Sequence, residues 1–129
     1  MTDYSTLCHQ FSHILGGEMS IKHGVCMVTK ERSYINLNIF GRPSHSIVAN
    51  WSFESLDSHG KALNLGETPL LQEEVYPFTW HLQRNGIILS ALHNHWLHDN
   101  PHLLYAHYIS IEEPLLFAHK VSEAFRLLK

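Results

Sequence analysis

The chain predicts an α+β domain: a largely antiparallel β-sheet with helices packed on one face, in the order α-β-β-β-(β)-α-β-β-α. Three observations carry that reading. Apolar residues recur at helical spacing near both ends and once in the middle, and the segments between them alternate or run apolar over strand lengths. No strand-helix-strand unit repeats, so a parallel sheet is not indicated. The 129 residues are enough for one domain with its own core, taken as residues 1–129.

Tyr4 to Leu15 carries apolar side chains at positions 4, 7, 11, 14 and 15, a helical stripe that Gly16-Gly17 ends. His9 and His13, four apart, lie off that stripe and read as a solvated face. Gly24 to Thr29 and Tyr34 to Phe40, joined by the polar turn Lys30-Glu31-Arg32-Ser33, read as a hairpin. Ile47 to Phe53 is a third strand, and Lys61 to Leu65 a fourth. Thr68-Pro69 has the form of a helix start, followed by Leu71, Val75, Phe78 and Leu82 on one face. Ile87 to Leu92, introduced by Asn85-Gly86, is a buried strand that continues into His93-Asn94-His95. Asp99-Asn100-Pro101 turns the chain, and His102 to Ile109 returns as its partner. Pro114 to Leu128 is an amphipathic helix with Leu115, Ala118, Val121, Phe125 and Leu128 inward.

Composition narrows the function. With a net charge of −3 and nine scattered basic residues, the chain lacks the clustered footprint of a nucleic-acid binder. It has no apolar run near membrane-spanning length and no leader ending in a cleavage site, so a cytoplasmic address is expected. In such a reducing compartment Cys8 and Cys26, without CxxC spacing, read as buried small hydrophobes.

The informative stretch runs from Gly86 to His107 and holds five of the twelve histidines. On a strand His93 and His95 share a face about 7 Å apart, with Asn94 opposite. A hairpin pivoting near residue 100 would set position 107 across from 93 and 105 across from 95. His93, His95 and His107 could then converge on one zinc or similar divalent ion. Two carboxylates stand nearby in sequence. Glu74 falls at the edge of the apolar face of the middle helix, where a carboxylate must be a metal ligand, be protonated, or pair with a partner such as His81 or Arg84. Glu67 is a candidate acid/base group. Ser90 and Cys26 have no elbow or oxyanion-loop signature around them, so nucleophilic catalysis is not indicated.

Gly66-Glu67, Leu70-Leu71, Glu74-Val75, Pro77, Gly86-Ile87, Ala91-Leu92-His93-Asn94-His95, Pro101 and His107 together resemble the pattern of the LppY/LpqO family, a widespread bacterial domain of unknown function. The likeness covers about residues 16 to 125. It implies the fold and a histidine site without supplying an activity. Many members resemble two tandem copies, so this single copy implies a homodimer; His98 and His102 depart from the family's loop.

The leading expectation is a metal-dependent, zinc-type hydrolase or lyase acting on a small molecule, with His93, His95, His107 and Glu74 as ligands and Glu67 as proton acceptor. The alternative is a non-catalytic metal-binding or sensing protein, or a dimeric interaction module.

Overall fold

A computed structural model describes residues 3–128. Helix α1 (Tyr4–Leu15) opens on Asp3, whose carboxylate accepts from the N–H groups of Ser5 and Thr6 at 3.3 and 3.2 Å. It closes at Gly16, whose φ of 74° suits glycine and whose N–H returns to the Ser12 carbonyl. There follow β1 (Glu18–Lys22), β2 (Val25–Glu31), β3 (Leu37–Ile39), β4 (Arg42–Ser44), β5 (Val48–Glu54) and β6 (Ala62–Leu71). A single 3₁₀ turn, Gln72–Glu74, leads into α2 (Val75–Arg84); then come β7 (Ile88–Asn94), β8 (Asp99–Asn100), β9 (Leu103–Glu112) and α3 (Pro114–Phe125).

Six strands form one antiparallel sheet in the order β1-β2-β5-β6-β9-β7, and β4-β3-β8 form a second, smaller one. The expected class is what the chain adopts. The three helices share a core with one face of the large sheet: Phe11, Phe78 and Phe117 pack with Val28, Trp51 and Tyr108, all at most 1% exposed. Two polar groups in that core satisfy each other, Trp51 Nε1 donating to the Tyr108 hydroxyl at 2.7 Å while that hydroxyl also meets Thr68 Oγ1 at 2.8 Å. Gly66 makes room for the arrangement, because a Cβ there would lie 2.2 Å from the Tyr108 ring. The small sheet packs over one end of the opposite face, where Ile35, Leu37 and Ile47 bury Leu103. No helix among the described residues lies over the rest of that face. Among the described residues no helix is long and apolar enough to cross a membrane.

Several expectations are corrected. Cys8 and Cys26 are not separate thiols: they are joined in a buried disulfide between α1 and β2. The hairpin partner of β2 is β1, turned at His23-Gly24, and Tyr34–Phe40 leaves the large sheet to supply β3. Between β2 and β3 lies Arg32, which follows β2 and is 1% exposed. Its guanidinium grips Glu74 with two bonds of 2.7 and 2.9 Å and donates to the Pro69 carbonyl at 2.8 Å.

Thr68-Pro69 does not start a helix. It lies within β6, which runs on to Leu71 in full register with β9. Proline is tolerated because the β5 ladder stops at Asn50 opposite Glu67, leaving β6 a free side at Pro69. The Tyr105 hydroxyl serves the nearby Val48 carbonyl instead, at 2.9 Å.

Candidate functional site

The site lies on the uncovered face, where β5, β6, β9 and β7 run side by side. Cross-strand register sets Asn50, Glu67, His107 and Ala91 in one row. The β7–β9 register differs from the expected one by two residues: His93 faces Tyr105 and Ala91 faces His107, with Ser90 bulged out after Leu89. A shift of two keeps side chains on their own face, so His93 and His107 become diagonal neighbours that still meet. Their Nε2 atoms lie 2.8 Å apart.

The partners of the other ring nitrogens determine what that contact means. His107 Nδ1 faces Glu67 Oε2 at 3.3 Å, and His93 Nδ1 meets the Asn94 carbonyl oxygen at 2.8 Å. A carbonyl only accepts, so His93 Nδ1 carries the proton and its Nε2 presents a lone pair to His107. An Nε2–H of His107 donating into that lone pair accounts for the contact; a metal ion taken between the two nitrogens is the other species with the right chemistry. A tetrahedral ion about 2.0–2.1 Å from each nitrogen would need them roughly 3.3–3.4 Å apart, wider than the 2.8 Å between these two. Glu67 is held from behind by Asn50, whose Nδ2 donates to Oε1 at 3.2 Å. With both oxygens engaged, Glu67 orients His107.

Two expected ligands stand elsewhere. His95 follows the end of β7 and turns away, its Nε2 donating to the Ser46 carbonyl at 3.0 Å. Burial lowers its pKa from the ordinary imidazole value, which keeps the ring neutral. Tyr105 stacks beside it at 4.3 Å between centroids and beside His107 at 5.1 Å, filling the space where a third imidazole would have to reach. Glu74 is corrected more simply: Arg32 takes both its oxygens, and the Leu71 N–H adds a bond of 2.8 Å to Oε1. Neither His81 nor Arg84 is the partner that the sequence suggested. Among the described residues no three His, Cys, Asp or Glu side chains converge as a metal-holding group. The site is a histidine pair backed by a carboxylate.

His102 does not compete for the pair. It bridges the Asp99 carboxylate at 2.8 Å and Asn94 Oδ1 at 2.9 Å, on the face of β7 opposite His93, as the alternation of Asn94 predicts. His98 packs on Phe40 at 4.5 Å. Sequence reasoning missed Asn50 and Tyr105. The alternation of their strands offered the only signal, since both fall on the open face once the register is known. Burial pushes the Tyr105 phenol up to about 12, with the Glu67 charge adding to the shift, so it stays a proton donor near neutrality.

Residues 9–127 match the model of a protein family described as Domain of Unknown Function (DUF1259). No curated protein and no solved structure matches the chain.

Proposed function

The chain belongs to the Domain of Unknown Function (DUF1259) family, and from that premise we propose that it binds a divalent late first-row metal, zinc foremost, between His93 and His107. The observation that carries this is the pair of Nε2 atoms facing each other at 2.8 Å, with the Asn94 carbonyl on His93 Nδ1 and the Glu67 carboxylate 3.3 Å from His107 Nδ1. Glu67 is the positioning residue for His107, and Asn50 is the positioning residue for Glu67.

Two imidazoles leave a tetrahedral ion with positions open to water and substrate. That favours a hydrolase or lyase acting on a small molecule over a closed storage site, which fills its shell with protein ligands. The bound ion would polarise a substrate oxygen or lower the pKa of a water. Tyr105, whose hydroxyl donates to the Val48 carbonyl, flanks both rings and shapes the space beside them. The resemblance to the LppY/LpqO family belongs to this reading, through the Gly66-Glu67 and Ala91–His95 blocks.

Plasma mass spectrometry on untagged protein tests it. About one metal ion per chain is expected in wild type and in His95→Ala, and none in His93→Ala or His107→Ala. Metal retained by His107→Ala, or no uptake by wild type after dialysis against zinc, would overturn the reading.

A further inference from the structure

The strand registers stack the side chains of the uncovered face into rows of different chemistry. Met27, Ser52, Leu65, Ile109 and Ile88 are successive cross-strand neighbours in one row. Thr29, Asn50, Glu67, His107 and Ala91 form the next, two residues along on four of the strands and three along on β7, where Ser90 bulges, which is about 7 Å away. Tyr105 and His93 belong to the third. An apolar row thus runs alongside the row that contains the histidine site.

Where the first two rows adjoin, the surface is concave. A groove of about 300 Å³ is lined by Met27, Ser52, Leu65 and Ile109 on the apolar side and by Asn50, Glu67 and His107 on the polar side. Ser52, a short side chain between the longer Met27 and Leu65, makes the depression. Single exposed apolar residues are ordinary on a protein surface. This groove differs because one wall is largely apolar and the other carries His107, whose Nε2 meets that of His93 just outside the groove, and its volume is at the small end for a small-molecule site, roughly 300–1,000 Å³.

An occupant must satisfy both walls. A divalent ion on two neutral imidazoles, even with Glu67 nearby, leaves net positive charge and attracts an anionic oxygen. The apolar wall rewards methylene groups. We propose that the groove binds a medium-chain aliphatic carboxylate, its oxygens at the His93–His107 ion and its tail over Leu65, Ile109 and Met27. The head-group contact rests on the metal reading above; the tail contact does not.

Titration calorimetry of zinc-loaded protein with acetate, butyrate, hexanoate and octanoate tests the proposal, with zinc content measured on the same samples. Affinity is expected to rise roughly fourfold per methylene until the groove is filled. Met27→Gln and Ile109→Thr, both on the face away from the helical core, are expected to flatten that series while zinc and acetate binding persist. Equal affinities along the series with zinc retained would overturn the groove and leave the metal reading. A rising series in protein that retains no zinc would overturn the metal reading and the head-group contact while supporting the groove. Neither zinc nor a rising series would overturn both.

Discussion

At the scale of single residues, Glu67 and Arg32 separate two uses of charge. Glu67 is half-exposed and acts on His107 through one oxygen. Glu67→Gln is therefore expected to weaken zinc affinity about 10- to 100-fold without unfolding the chain, as a competition titration with a chromophoric chelator will measure. Arg32 and Glu74 are buried together, and the loss of one strands the other's charge. Arg32→Met should destabilise the protein by about 3–5 kcal/mol in urea unfolding, whereas Arg32→Met with Glu74→Leu should cost much less. Asp99 supplies the pH dependence. Burial pushes its carboxyl up, but the bonds from His102 and the Leu103 N–H outweigh this and hold it below the ordinary carboxylate value. A depressed carboxylate contributes stability that is present above its unfolded pKa, near 3.8, and lost as pH falls through the folded one. Acid unfolding of Asp99→Asn followed by circular dichroism should show a smaller loss of stability below pH ~4 than wild type.

At the scale of elements, the disulfide and the extended β6 matter most. Cys8–Cys26 ties α1 to the second strand across a sequence separation of 18 residues. Replacing both cysteines with alanine is expected to cost about 3 kcal/mol, read from the shift in thermal midpoint, and wild-type protein unfolded without reductant should titrate no free thiol. Sequence reasoning kept the cysteines apart because it argued from an assumed compartment; the pairing follows from α1 lying across β2, which no spacing rule contains. The β6 error has the same origin. Thr68-Pro69 is a legitimate helix start by local rules, but pairing with all of β9 holds Leu63 to Leu71 extended. Thr68 spends its hydroxyl on Tyr108 instead of on a helix N-terminus.

At the scale of the whole molecule, one covered face and one largely open face organise both stability and chemistry. β6 and β9 lie inside the large sheet, and their central residues pack under the helices. Their amides should be the slowest in native-state hydrogen exchange, and the amides of the edge strands β1 and β7 faster by orders of magnitude. The histidine pair sits on the open face between the small sheet and the apolar row, so substitutions there should alter metal or ligand binding with little change in stability. Those beneath the helices should do the reverse.

The sequence by itself determined the fold class and the presence of three helices, because these depend on periods of 3.6 and 2 that a linear pattern carries. It also put His93 and His107 on one face of a hairpin. Tertiary structure decided which side chains meet. A register two residues from the expected one kept the face and changed the neighbour, so His107 found His93 by a diagonal contact and Tyr105 took the third place. Glu74 was lost to the site because Arg32, 42 residues earlier in the chain, lies beside it in the fold. Periodicity carries the direction of a side chain; only strand register and long-range packing supply its partner.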